Sequence, residues 1–151
     1  MWIAETFFNW SERSVQNVYP QLFYHLVWGT KFRRPMITEE IEQPLYRYIC
    51  YKSSEYGYKM IRVNGVEDHI HVLIELPPRI SVAEATGKLK GSSLWFVSDL
   101  AGCWFGWQRG YGAFTVGKRD LSRVIRYIRR QKEHHRRGTW TEDLEPPDDD
   151  A

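Results

Sequence analysis

Two histidines at alternate positions, His69 and His71, are the residues whose types and spacing best suit chemistry. They lie in the stretch Asp-His-Ile-His-Val-Leu-Ile-Glu-Leu, residues 68–76, whose β-branched and aliphatic side chains predict a β-strand. Because side chains alternate along a strand, both imidazoles point to one face, with Cα atoms ~6.6 Å apart, and Ile70 and Val72 point to the other face. Two imidazoles on one rigid face can bind one divalent metal ion.

Hydrophobic periodicity and capping residues predict the elements that position this strand. Strands are predicted at residues 20–30, 58–64, 68–76 and 111–116, and helices at 38–57, 81–100 and 120–136. The order β-α-β-β-α-β-α predicts an α+β fold, a ferredoxin-like (RRM-like) antiparallel sheet with helices on one face plus a C-terminal helix. We divide the chain into an unassigned N-terminal extension (1–18), one domain (19–140) and an acidic tail (141–151), which its composition predicts to be disordered.

The net charge of +2 conceals an uneven distribution. Residues 142–151 contain six acidic side chains, and the rest of the chain carries 21 basic and 13 acidic side chains, or +8. Residues 118–137 contain nine lysines and arginines against two acidic residues. This basic body predicts a polyanionic partner, and a solvated basic helix is the alternative for the last segment.

Composition narrows the class of protein. Hydrophobic residues make up 42% of the 151 residues, which suffices for the core of a single domain. No apolar run is long enough to cross a membrane, and the N-terminus does not have the pattern of a signal peptide. Cys50 and Cys103 have no metal-type spacing and suit a reducing interior, so we expect a cytoplasmic protein. No phosphate-binding glycine loop is visible, so no nucleotide cofactor is expected.

The predicted C-terminal helix combines an apolar stripe, a basic face and one tyrosine. Four aliphatic residues cluster on the side expected to face the core: Leu121, Val124, Ile125 and Ile128. Tyr127 and Gln131 are four residues apart and are therefore neighbours at the border of the arginine-rich face. Taken alone, a tyrosine at this border is most simply a half-buried packing residue.

Four segments together resemble one known family. They are D-H-I-H-V-L-I-E-L-P-P (68–78), L-K-G-S-S (89–93), W-Q-R-G-Y-G-A-F-T-V (107–116) and V-I-R-Y-I-R-R-Q-K-E-H-H-R (124–136). Over residues 20–140 the chain resembles the HUH (His-hydrophobe-His) single-tyrosine transposases of IS200-like insertion sequences and the related REP-associated tyrosine transposases. The resemblance implies that Tyr127 is the catalytic nucleophile. It also implies that Gln131 is the third metal-binding side chain beside the two histidines.

The same resemblance implies an activity and its partners. The tyrosine attacks a phosphodiester of single-stranded DNA, forms a 5′-phosphotyrosine link and releases a 3′-OH, and the DNA is recognised through a hairpin near each end of the element. The expected cofactor is Mg²⁺ or Mn²⁺, which suit nitrogen and oxygen ligands together. The basic residues expected to bind DNA are Lys31, Arg33, Arg34, Lys88, Lys90, Arg123 and Arg130. We expect a prokaryotic homodimer, nucleoid-associated when bound to DNA, in which the tyrosine helix can serve the partner's histidines; a monomer is the alternative.

Other residues near these motifs have expected roles. Strand alternation predicts that Asp68 points away from the histidines and that Glu75 shares their face, where it could orient an imidazole. His25 is expected to be structural, and His134 and His135 to contact phosphate or solvent. Core packing is expected, and base stacking is the alternative, for Trp28, Trp95, Trp104 and Trp107.

Other functions fit part of the pattern. A domesticated relative that processes palindromic repeats of its host would carry the same motifs. A non-catalytic nucleic-acid-binding module shares the ferredoxin-like plan but would place aromatic residues at the sheet centre. A zinc-dependent hydrolase with water as nucleophile would need a third strong ligand, and no further His or Cys lies at an obvious spacing. A replication nickase or relaxase fits less well, because here a single tyrosine follows the histidines on a basic helix.

Overall fold

A computed structural model of the chain describes residues 20–139, so the predicted extension and acidic tail lie outside it. The strands are β1 (Phe23–Gly29), β2 (Lys59–Gly65), β3 (His69–Glu75) and β4 (Gly112–Val116). The helices are α1 (Glu39–Glu55), α2 (Val82–Ala101), α3 (Leu121–Arg129) and α4 (Gln131–Arg137). Short 3-10 turns occupy Lys31–Arg33 and Lys118–Asp120. Over the described range, none of the helices has the length and apolar content needed to span a bilayer.

The sheet has the strand order β2-β3-β1-β4, and every neighbouring pair is antiparallel. Because β3 lies between β1 and β2, the connection through α1 is a split β-α-β unit, and the ferredoxin-like prediction is confirmed. An irregularity in β2 between Met60 and Arg62 shifts its register against β3. Beyond it, Arg62 lies opposite Leu73, and Asn64 lies opposite His71.

One face of the sheet forms the main core with α1 and α2. Leu26, Trp28 and Ile70 are fully buried in this core, and burying each such side chain stabilises the fold by roughly 1.5–3 kcal/mol. The predicted start of α2 is confirmed, because the Ser81 hydroxyl accepts a hydrogen bond from the Glu84 N–H at 3.0 Å.

The opposite face of the sheet is covered by α3. Val124, Tyr127 and Ile128 pack with Phe23 and Leu73 in a second buried cluster. The apolar stripe predicted for the C-terminal helix therefore does face a core, although this core lies on the other side of the sheet from α1 and α2.

The prediction of a single helix over residues 120–136 is wrong in one respect, because the chain leaves helical geometry at Arg130 (φ −97°, ψ 15°). The Arg130 N–H there is shared between the carbonyl oxygens of Arg126 and Tyr127 at 3.2 and 3.1 Å, which closes α3 with a tight final turn. Tyr127 and Gln131 are therefore on separate helices.

Candidate metal and tyrosine site

Three histidines lie on the face of the sheet that α3 covers. In the antiparallel register, His71 lies opposite Val27 and His69 lies opposite Gly29. Cross-strand partners share a face, and alternation along β1 adds His25 to that face. The exposed fractions of the His25, His69 and His71 side chains are 0%, 1% and 0%. Imidazoles that are this deeply buried need polar partners.

His135 of α4 adds its imidazole to the predicted pair of His69 and His71. The ring centroids of His69 and His71 are 5.1 Å apart, and that of His135 is 4.6 Å from His69. One potential ligand nitrogen from each of the three lies within 4.8 Å of the others, a spacing suited to one metal ion. His135 was expected to contact phosphate or solvent, and its i, i+4 spacing from Gln131 was the signal in the sequence that could have placed it here.

Asp68 orients the first histidine of the pair. Its Oδ1 accepts a hydrogen bond from Nδ1 of His69 at 2.6 Å, which leaves Nε2 of His69 available to a ligand. Burial raises the pKa of Asp68, but the His69 hydrogen bond and nearby positive charge outweigh it, so the pKa lies below its ordinary value. The prediction that Asp68 points away was wrong, because Asp68 precedes the first residue of β3 and strand alternation does not constrain it.

Glu75, which was expected to orient an imidazole, has another partner. Its Oε2 lies 3.4 Å from Nζ of Lys59 across the β2–β3 pair. The carboxylate that contacts a histidine is therefore the one before the strand, not the one at its end.

His25 contacts the second histidine of the pair. Its Nε2 lies 2.9 Å from Nδ1 of His71, and the two rings stack with centroids 5.1 Å apart. Burial lowers the pKa of His25 to about 4 and holds the pKa of His71 well below its usual value, so both rings are neutral near pH 7. If His71 presents Nε2 to a cation, its Nδ1–H donates to His25, so the residue expected to be only structural also selects a tautomer.

Gln131 is a fully buried amide whose polar atoms lack partners. Its side chain is 0% exposed, and neither Oε1 nor Nε2 makes a hydrogen bond within residues 20–139. Nε2 of His69 is also without a hydrogen bond in that range. Leaving such a group unsatisfied costs about 1–3 kcal/mol. Gln131 is one helical turn before His135 on α4, so the two side chains lie on the same side of that helix, and an amide oxygen is a possible further ligand beside the imidazoles.

Tyr127 meets the histidines within one chain. Its ring centroid lies 5.9 Å from that of His71 and 6.3 Å from that of His25, and it stacks on His134 at 5.0 Å. The side chain is 7% exposed. The structure therefore places the predicted nucleophile beside the predicted metal ligands without a second subunit.

The residues predicted to bind DNA fall on two sides of the sheet. Lys88 and Lys90 are on α2, on the face away from the histidines, and Lys88 pairs with Glu84 at 3.0 Å. The other five follow β1 or lie on and just after α3: Lys31, Arg33, Arg34, Arg123 and Arg130. Arg33 contacts Asp68 at 3.6 Å, which connects the turn after β1 to the histidines.

Lys90 stabilises the loop before β4. Its Nζ donates to the carbonyl oxygens of Gln108, Arg109 and Gly110 at 2.8, 3.2 and 2.9 Å. Burial lowers the pKa of Lys90 to about 8. An ammonium group has three N–H donors, so these contacts occupy all of them, and DNA contact by Lys90 stays a prediction without support from this geometry.

The four tryptophans considered in the sequence analysis form a buried pair and an exposed pair. Trp28 and Trp107 are buried, and the indole N–H of Trp107 donates to the Ser93 hydroxyl at 3.1 Å. Trp95 and Trp104 are 76% and 62% exposed. Core packing is thus confirmed for the first pair and wrong for the second.

Comparison with known sequences identifies the family. The sequence model of the IS200-like transposases matches residues 18–131. The chain belongs to this family. The transposase for insertion sequence element IS200 of Salmonella typhimurium is 32% identical over 140 residues, which cover 84% of this chain and 88% of that protein. The ISDra2 transposase TnpA of Deinococcus radiodurans is 27% identical over 118 residues, which cover 74% of this chain and 84% of that protein.

Solved structures show the same fold. A candidate transposase of Deinococcus radiodurans R1 has a TM-score of 0.62 at 22% identity, over 76% of this chain and 94% of that one. A REP-associated tyrosine transposase bound to a REP hairpin has a TM-score of 0.59 at 14% identity, over 82% of this chain and 76% of that one. The predicted family and fold are confirmed, and this IS200-like protein is a transposase, an enzyme class that cleaves DNA.

Proposed function

We propose that this IS200-like transposase cleaves and rejoins single-stranded DNA with Tyr127 as its nucleophile, at a divalent metal ion held by His69, His71 and Gln131. We add His135 as a further ligand. The observation that carries the proposal is the 5.9 Å separation between the rings of Tyr127 and His71, at the edge of a buried histidine cluster.

The donor set fits a divalent cation. Gln131 and Nε2 of His69 are buried without hydrogen-bond partners in the described residues, and Asp68 and His25 occupy the other nitrogens of the two strand histidines. A bound cation of this kind polarises a phosphate oxygen and neutralises developing charge. Three imidazoles favour Mn²⁺ over Mg²⁺, which prefers oxygen ligands.

Tyr127 supplies the nucleophile of the proposed step. The phenol oxygen of Tyr127 forms a bond to phosphorus, and the bond from phosphorus to the 3′-oxygen breaks. The phenol gives up one proton and the leaving 3′-oxygen gains one, so the products are a 5′-phosphotyrosine and a 3′-OH. Attack of a 3′-OH on that link reverses the step and rejoins DNA, which is why the reaction needs no nucleotide cofactor.

The DNA partner and the assembly are part of the proposal. The REP-associated tyrosine transposase of similar fold is bound to a REP hairpin, and we propose that this chain likewise takes single-stranded DNA that carries a hairpin. The tyrosine and the histidines meet within one chain, so a homodimer, which we still predict, would not be required to complete the site. A role on host palindromic repeats remains the alternative, and the genomic surroundings of the gene distinguish the two.

One specific observation favours a second candidate. His135 is the third strong ligand that the sequence did not reveal for a zinc-dependent hydrolase with water as nucleophile. The two mechanisms differ in their product, because only the tyrosine mechanism leaves protein attached to DNA.

The test is formation of a covalent adduct between the protein and labelled single-stranded DNA that carries hairpin ends, in the presence of Mn²⁺. We expect Tyr127→Phe to abolish the adduct and His69→Ala to reduce it at least tenfold. Tyr51→Phe is the matched control, because Tyr51 is 63% exposed and outside the site.

Cleavage without any adduct would support the hydrolase instead. An adduct that persists in Tyr127→Phe would show another nucleophile, and DNA binding with neither cleavage nor adduct would support the non-catalytic module.

A further inference from the structure

A pocket lined by three arginines opens between α1, β2 and the end of α3. Its volume is about 480 Å³. Arg47 of α1, Arg62 of β2 and Arg129 of α3 line it. The remaining lining residues are uncharged: Gln43, Tyr46, Cys50, Val63 and Asn64. No motif in the sequence pointed to this pocket, because its arginines come from three different elements.

The three guanidinium groups have no carboxylate partner among the described residues. Within residues 20–139, none of Arg47, Arg62 and Arg129 forms an ion pair, whereas Arg33, Arg123 and Arg137 do. Like charges gathered in one pocket repel one another, and a bound anion removes that cost. Arginine binds phosphate with two parallel hydrogen bonds, which makes a phosphate group the fitting anion.

The pocket lies beside the proposed catalytic site. Arg62 and Asn64 are opposite Leu73 and His71, so they share the histidine face, and neighbouring strands are only ~4.8 Å apart. The Asn64 amide donates to the carbonyl oxygens of Ile128 and Arg129 at 2.8 and 3.2 Å. These bonds tie β2 to the helix that carries Tyr127.

We propose that this arginine pocket binds a backbone phosphate of the DNA strand that Tyr127 cleaves, close to the phosphate under attack. The proposal rests on the proposed function, since it needs that DNA as its ligand. A phosphate contact of this kind sets the position of the strand and reads no base. The pocket therefore holds the strand in register for cleavage whatever the sequence beside the cleavage site.

The test measures the affinity of the full chain for a labelled single-stranded oligonucleotide at several salt concentrations. Variants are Arg47→Gln, Arg62→Gln, Arg129→Gln and their combination, and Arg79→Gln, an exposed arginine outside the pocket, is the matched control. Each phosphate contact on a single strand contributes about 0.7 to the slope of log affinity against log salt, and the pocket is proposed to hold one phosphate, so the triple variant should lower the slope by about 0.7. Arg62→Lys, which keeps the charge, should retain most of the slope.

A second arm locates the phosphate. Single phosphates of the oligonucleotide are replaced in turn by uncharged methylphosphonates. We expect one position near the cleavage site to weaken binding of the wild-type protein and to have little effect on the triple variant.

The outcomes separate this proposal from the proposed function. A triple variant with the same salt slope as Arg79→Gln, at an unchanged thermal unfolding midpoint, overturns the pocket. A loss of affinity that is confined to duplex DNA also overturns the proposal, because it would place a hairpin stem in the pocket instead. A wild-type protein that forms no adduct but whose DNA binding depends on the three arginines overturns the chemistry and supports the pocket.

Discussion

Replacing His25 by phenylalanine tests whether a residue outside the proposed set of metal ligands controls metal affinity. Nε2 of His25 lies 2.9 Å from Nδ1 of His71, and His25 also packs near Phe114 with ring centroids 5.8 Å apart. Phenylalanine keeps an aromatic ring in this fully buried position and removes the nitrogen acceptor. In this variant, a His71 ring that presents Nε2 to a cation has an Nδ1–H that can no longer donate to His25.

The expected loss follows from that N–H. A buried donor without its acceptor costs about 1–3 kcal/mol, and each 1.36 kcal/mol is a factor of ten in an equilibrium constant. We therefore expect His25→Phe to weaken Mn²⁺ binding by about 5- to 150-fold. This range agrees with the roughly 10–100-fold that partners of metal-bound histidines generally contribute.

The assay is calorimetric titration of Mn²⁺ into the purified protein near neutral pH, with the His71 tautomer read from imidazole ¹⁵N chemical shifts. His25→Gln is the matched control, because its amide oxygen can accept the same hydrogen bond, and we expect affinity near that of the wild type. If His25→Phe folds normally and binds Mn²⁺ as tightly as the wild type, the argument that His25 orients His71 is refuted.

Two further predictions concern the metal-free protein. Gln131→Leu removes a buried amide that has no hydrogen-bond partner in the described residues. We therefore expect this variant to have a higher thermal unfolding midpoint without metal and a weaker affinity for Mn²⁺. A lower midpoint would count against a ligand role for Gln131. Burial lowers the pKa of His25 from 6.5 to about 4, so between these values the unfolded chain binds a proton that the folded chain does not. We expect the free energy of unfolding in urea to fall as the pH drops through this range, by about 3 kcal/mol from His25, and a flat profile would contradict this.

Local signals in the sequence were sufficient for the order of strands and helices along the chain and for the face on which each residue of β3 lies. The alternation of polar and apolar residues around His69 and His71 placed the two imidazoles on one face, and the Ser81 cap placed the start of α2. These features depend on residues a few positions apart, where strand and helix periodicity apply directly.

The surroundings of the candidate metal site could not be predicted in the same way. Asp68 lies just outside β3, where alternation no longer applies, and the break at Arg130 changes the direction of every side chain after it. His135 and the arginine pocket depend on how separate elements pack, which one sequence does not reveal. Only the i, i+4 spacing of Gln131 and His135 hinted at that arrangement.

The burial of Tyr127, which is 7% exposed where α3 packs on the sheet, would affect the lifetime of the proposed covalent bond to DNA. A phosphotyrosine in this position is shielded from bulk solvent, so hydrolysis would compete poorly with a neighbouring 3′-OH. An enzyme that must hand a broken strand to a new end benefits from this shielding, because each bond lost to water would leave an unrepaired break.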